Sequence, residues 1–142
     1  MSADSLFSLS STVVLPGWLA LAVAPRWKWT PRIAATLLPA LLAVVYLYAL
    51  APRFLGSEGG FGSLAQVARL FEDPYLLLAG WVHYLAFDLI VGNWEVADAQ
   101  RHRVPHLLVV PCLVLTFLFG PVGWLAYLVV RAALRRQLFA AA

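Results

Sequence analysis

Four stretches of the chain are nearly free of charge, and the segments joining them are short and polar. The first, residues 6–24, holds Val13, Val14, Leu15, Trp18, Leu19, Leu21 and Val23 without an ionisable side chain, enough to cross a bilayer with some tilt. No basic residue precedes it and the cations follow it, the reverse of a secretory signal, so it is expected to be retained. The second, residues 33–51, carries Leu37, Leu38, Leu41, Val44, Val45 and Leu50. The third, residues 74–94, opens on Asp73-Pro74, a cap followed by a first-turn proline, and is expected to continue as a polar helix to Arg101. The fourth, residues 106–130, is interrupted at Gly120-Pro121-Val122-Gly123. Interior prolines predict kinks at Pro16-Gly17 and at Pro39.

The joining segments have characters of their own. Arg26, Lys28 and Arg32 lie among Trp27 and Trp29, a composition suited to the head-group region. The longest loop contains Gly56-Ser57-Glu58-Gly59-Gly60, a flexible turn. After it, Phe61, Leu64, Ala65, Val67, Ala68, Leu70 and Phe71 recur at helical spacing, predicting a short amphipathic helix on the membrane surface. The expected fold is therefore all-α, an integral membrane four-helix bundle with a short amphipathic helix between spans two and three, in a single domain over residues 1–142.

Composition narrows the function classes. Of 142 residues, 63% are hydrophobic and 12% charged, about half the charged fraction of a soluble domain, and the mean hydropathy is +0.83. The single Cys112 rules out a disulfide framework or a cysteine cage. The net charge of +3 comes from cations flanking apolar runs, which points to lipid head groups and topology and away from nucleic acid. Arg26, Lys28 and Arg32 after the first span, and Arg101 and Arg103 after the third, favour an N-terminus outside. An even number of spans would leave Arg131, Arg135 and Arg136 of the amphipathic tail outside too, unless Pro121 permits a re-entrant turn.

Ionisable groups inside apolar spans are costly and usually mark function. His83 and Asp88 lie near the middle of the third span; five positions apart, they sit about 140° from each other around a helix, so each needs a partner on another helix. Asp88, Glu95 and His102 fall on one helical stripe, Asp98 stands four residues before His102, and His106 opens the next span. His83, Asp88, Glu95, Asp98, His102 and His106 have donor chemistry suited to a divalent metal or to an acid/base relay, although no HExxH or paired CxxC spacing occurs. Trp81, Tyr84, Phe87 and Phe117 offer walls for an apolar polyene or isoprenoid substrate.

The run Gly80-Trp81-Val82-His83 through Asp88-Leu89, followed by Pro105-His106, Pro111-Cys112-Leu113 and Phe119-Gly120-Pro121-Val122-Gly123, resembles the abscisic-acid-deficient-protein-4-like family of small four-span membrane proteins, which includes plant neoxanthin synthase. The resemblance implies a membrane isomerase of carotenoids that opens a 5,6-epoxide to an allene. An acid or a metal activates the epoxide oxygen while a base removes a proton from the adjacent polyene carbon, with no redox cofactor. It implies Asp88 as acid or base, His83 as its partner or a metal ligand, and His106 as a second partner. With no plastid transit peptide in view, a bacterial member in the inner membrane is expected, and a homodimer is compatible with four short spans. Two other classes remain open at this point: a non-catalytic carotenoid- or lipid-binding protein, and a small proton-coupled transporter using the acidic stripe.

Overall fold

The computed structural model describes residues 1–135, and among them it forms helices and connecting turns with no strand; the tail from Arg136 onward lies outside the described residues. The first span is two helices, α1 (Ala3–Val13) and α2 (Leu15–Val23). The break falls at Val14, two residues before the proline, because Pro16 has no N–H to give to the preceding turn and its ring crowds the carbonyl four residues back. The second span begins with one turn, α3 (Thr30–Arg32), passes through a π-helical turn at Ile33–Leu37, and continues as α4 (Leu38–Phe54). The expected kink thus takes the form of a widened turn just before Pro39, where a missing donor leaves the ladder to re-pair at longer spacing. The linker between the two spans is fixed by Thr30, whose hydroxyl donates to the Ala24 carbonyl at 2.7 Å, and Trp29 lies 4.9 Å under the Arg32 guanidinium.

The amphipathic segment forms α5 (Leu64–Leu70), started by Ser63, whose hydroxyl accepts from the Gln66 N–H at 3.2 Å. Its Leu70 is buried while Leu64 is exposed, so one side of α5 rests on the bundle. The third span is α6 (Pro74–Arg101), whose N-cap Asp73 accepts from the N–H groups of Tyr75 and Leu76 at 2.8 and 3.1 Å. At 28 residues it is about 42 Å long and packs against all the other long helices. Gly17 and Gly92 permit this: a methyl at Gly92 would lie 2.7 Å from the Trp18 ring, and one at Gly17 would lie 2.8 Å from Leu38. Val82, Leu85 and Leu89 of α6 form the core with Leu21, Leu38 and Leu42.

The stretch expected as a fourth span is instead two helices, α7 (His106–Phe119) and α8 (Pro121–Arg135). With 14 and 15 residues, each is only about 21–22 Å long, short of a hydrocarbon core about 30 Å thick. Gly120 turns the chain with φ of +51°, a conformation glycine adopts readily. Pro121 starts the next helix, where its missing N–H costs nothing. Gly123 then lies directly against the Thr116 backbone, with no room for a side chain. The result is a hairpin whose two outer ends return to one end of α6, His106 against Ala22 and Arg131 against Asp98.

Among the described residues three helical segments are long and apolar enough to cross a membrane: Ala3–Val23, Thr30–Phe54 and Pro74–Arg101. Leu15, Leu19, Leu37, Val44, Leu47, Leu118 and Val129 are exposed around the outside, an apolar belt far larger than a soluble surface carries. The four-layered helical bundle expected from the sequence is present, its fourth layer supplied by the hairpin.

Candidate functional site

Helix α6 presents different chemistry to its two sides. Towards α2 and α4 it is apolar except for His83; towards the hairpin it presents Asp88, Glu95 and Asp98 at the i, i+7 and i+10 positions of one stripe. Each carboxyl meets a different surrounding.

Asp88 is partly buried at the hairpin tip, where Gly120 is the nearest backbone: a methyl built there would lie 3.0 Å from Asp88 Oδ1. Glycine at this position is therefore required twice, for its positive φ and for the carboxyl's space. The Tyr84 hydroxyl donates to the Phe117 carbonyl at 3.2 Å and also interacts with the Asp88 carboxyl. Asp88 Oδ2 has no hydrogen-bond partner among the described residues. A cavity of 190 Å³ adjoins it, lined by Asp88, Val91, Gly120, Pro121 and Trp124. The tip carries exposed Val122 and Trp124, so this carboxyl stands next to the lipid-facing surface, with free acceptor capacity.

Glu95 is completely buried. Its Oε1 accepts from the Thr116 hydroxyl at 2.8 Å, and its Oε2 has no partner among the described residues. Asp98 is fully engaged: Arg131 Nη1 donates to Oδ1 at 3.0 Å and to Oδ2 at 2.8 Å, and the Tyr127 hydroxyl donates to Oδ2. Arg131 and Tyr127 are themselves 1% and 0% exposed, so this is a buried ion pair that fastens α8 to α6. The geometry separates a structural carboxylate, Asp98, from two carboxyls with an unused oxygen, Asp88 and Glu95.

The histidines do not join them. His106 Nε2 lies 2.9 Å from the Ala22 carbonyl, tying α7 to α2. His102 Nδ1 lies 2.9 Å from the Asp98 backbone carbonyl and 3.4 Å from its carboxylate, closing the end of α6. His83 stacks on Phe87 at 4.5 Å and approaches Tyr46 of α4 at 6.1 Å, on the side of α6 away from the hairpin. The 140° separation expected of His83 and Asp88 is borne out in their different neighbours, and the implied pairing of Asp88 with His83 and His106 is not formed. Nor does the expected donor set assemble: among the described residues no three His, Cys, Asp or Glu side chains gather as a metal site. The stripe spreads along α6 and its members are claimed by separate partners on other helices.

The expected substrate walls also divide. Tyr84 and Phe117 adjoin Asp88 through their shared hydrogen bond. Phe117 and Trp18, edge to face at 5.5 Å, border an apolar groove of 640 Å³ between α2 and α7. Trp81 donates to the Ser11 hydroxyl at 3.1 Å and packs on Phe7, so it joins α6 to α1. Phe87 points out on the His83 side, 55% exposed.

A family model described as ABA DEFICIENT 4-like matches residues 5–127, most of the described bundle. The chain belongs to this ABA4-like family. It is 28% identical over 144 residues to Protein ABA DEFICIENT 4, chloroplastic, of Arabidopsis thaliana, an alignment covering 95% of this chain and 64% of the length of that relative. No solved structure matches.

Within this ABA4-like chain, three residues of the polar side escaped sequence reasoning: Thr116, Tyr127 and Arg131. Tyr127 and Arg131 are spaced i, i+4 and so share a face. With Gly123 four residues earlier they mark the inward stripe of α8, which was legible had the helix been started at Pro121.

Proposed function

We propose that the chain is an integral membrane enzyme that isomerises a carotenoid or related isoprenoid lipid by moving a proton, with Asp88 as the acid/base group. The observation that carries this reading is the Asp88 carboxyl at the hairpin tip: mid-span, beside a small cavity at the apolar surface, with one oxygen unpartnered. A carboxyl kept there at a cost of about 2.5–3.5 kcal/mol on insertion scales with one oxygen left free among the described residues has the properties of a working group. Membership of the ABA4-like family supports a carotenoid-type substrate.

In the opening of a 5,6-epoxide to an allene, one proton leaves a polyene carbon and one reaches the epoxide oxygen, so the overall reaction consumes no reductant or oxidant. Asp88 serves one of these transfers, and the Tyr84 hydroxyl, which interacts with the same carboxyl, serves the other. Glu95, one stripe position deeper, keeps a second unpaired oxygen on the same side of α6. The cavity's apolar walls admit a hydrocarbon and exclude bulk water, which strengthens a carboxyl's electrostatic influence on charge forming nearby. An N-terminus outside is supported by the hairpin: with three crossings it would carry the C-terminal end of α8 towards the side of Arg26, Lys28, Arg101 and Arg103, in keeping with the positive-inside rule.

The test is conversion of a 5,6-epoxycarotenoid by purified protein in vesicles, followed by chromatography and the shortened polyene absorption of the allene. In deuterated water the product should gain no carbon-bound deuterium, because the proton lost leaves carbon and the proton gained goes to oxygen, and Asp88→Asn should abolish turnover while still retaining bound polyene. Full turnover by Asp88→Asn removes the reading; retained polyene with no turnover by the wild type leaves a lipid-binding protein in its place.

A further inference from the structure

On the opposite side of α6 lies a second cavity, of 350 Å³, between α4, α5 and the outer half of α6. Its walls include Tyr46, Phe54, Phe61, Leu70 and Phe71, and His83. Gly80 keeps it open beside Phe71, since a methyl at Gly80 would lie 3.1 Å from that ring. Phe54 and Phe61 stack at 5.5 Å, so the loop before α5 is drawn over the cavity, and Leu70 anchors α5 itself.

Two polar groups, exposed His83 and partly buried Tyr46, converge at the mouth of this aromatic-walled cavity. The rings of His83 and Tyr46 lie 6.1 Å apart. Among the described residues neither the imidazole nitrogens nor the Tyr46 hydroxyl make a hydrogen bond, nor does exposed Tyr48, whereas His102, His106, Tyr75, Tyr84 and Tyr127 do. His83 is exposed on an apolar span, so its nitrogens are left to bond whatever lies against that face of α6. A cavity with mostly apolar flat walls and a pair of convergent polar groups is the form of a small-molecule site.

We propose that this cavity is a second lipid site, separate from Asp88, which binds a flat apolar alcohol of the isoprenoid type with its hydroxyl between His83 and Tyr46. The hydroxyl donates to one neutral imidazole nitrogen and accepts from the Tyr46 hydroxyl, satisfying both protein groups at once. The flat aromatic walls suit a conjugated or cyclic hydrocarbon better than a saturated acyl chain. At 350 Å³ the cavity is near the small end of ligand sites, so it holds one end of a longer lipid whose remainder lies in the bilayer. Contact with α5 and its preceding loop makes the order of that segment depend on occupancy. The proposal does not depend on catalysis at Asp88, and stands or falls by binding alone.

The test uses all-trans-retinol as the probe, with the full chain in lipid nanodiscs and energy transfer from tryptophan to retinol as the readout. Saturable binding is expected, weakened about tenfold by His83→Leu and about threefold or more by Tyr46→Phe. Tyr46→Phe removes one oxygen and leaves the packing, so its effect reports the hydrogen bond. Retinyl methyl ether, which cannot donate, should bind the wild type about as weakly as retinol binds His83→Leu. Leu19→Trp, which fills the groove between α2 and α7, should leave retinol binding unchanged. Absence of saturable binding, equal binding by wild type and His83→Leu, or loss of binding in Leu19→Trp overturns the proposal.

Discussion

The two sides of α6 are held to the rest of the protein by different means. Towards α2 and α4, Val82, Leu85 and Leu89 meet Leu21, Leu38 and Leu42, with Gly17 and Gly92 setting how closely the backbones approach. Towards the hairpin, the same helix is held by a buried ion pair and a carboxyl-hydroxyl bond, while Gly123 pressed on the Thr116 backbone holds the hairpin itself together. In lipid the apolar side gains little from sequestering hydrocarbon, because the tails outside are equally apolar, and depends on close packing. The polar side is specific because few arrangements satisfy Asp98, Arg131 and Tyr127 together. A protein built this way can tolerate change on one side and must keep the other, and along the stripe Asp98 is fully bonded while Asp88 and Glu95 each keep an oxygen free among the described residues.

The comparison can be broken at several points. The largest effect is expected for Asp88→Asn, an isosteric change at the unpartnered carboxyl: turnover should fall about 100-fold to 10,000-fold while the thermal midpoint in detergent moves little. Asp98→Ala should act in the reverse sense, destabilising the bundle by about 3–5 kcal/mol because it removes one member of a buried ion pair; the check is thermal unfolding followed by tryptophan emission. Gly123→Ala should cost about 1–3 kcal/mol, since its methyl has no room beside Thr116 and the hairpin must open. Glu95→Gln should leave the bond from Thr116 replaceable and alter stability by less than about 1.5 kcal/mol, so a larger loss of turnover than of stability would identify Glu95 as a participant in proton transfer. On the lipid-facing exterior, Val44→Leu should be close to neutral for both readouts, within about 0.5 kcal/mol.

How much of this was legible in the sequence differs between the same two sides. The apolar runs, the Asp73 cap with Pro74, the amphipathic α5 and the extension of α6 to Arg101 follow from local pattern, because hydropathy and capping act over a few residues. The break in the first span moved to Val14 because the effect of Pro16 is felt one turn earlier. The hairpin was marked by Gly120-Pro121 but its consequence was not: whether a glycine turn merely kinks a span or reverses it depends on Gly123 fitting directly against the Thr116 backbone, a contact between helices. Partners for the acidic stripe were missed for the same reason. Asp98 finds Arg131 across 33 residues, and periodicity says which face a residue is on but not what meets it. His106 illustrates the converse, since its position after Pro105 suggested the cluster while its ring reaches Ala22 on the far helix.

The most direct test of the account is one paired assay, turnover of a 5,6-epoxycarotenoid by Asp88→Asn and by His106→Gln in the same vesicles, normalised to folded protein. If the chemistry belongs to the hairpin tip, Asp88→Asn loses at least about 100-fold and His106→Gln, whose ring only ties α7 to α2, stays within about threefold of the wild type. The reverse order, with His106→Gln inactive and Asp88→Asn active, would contradict it.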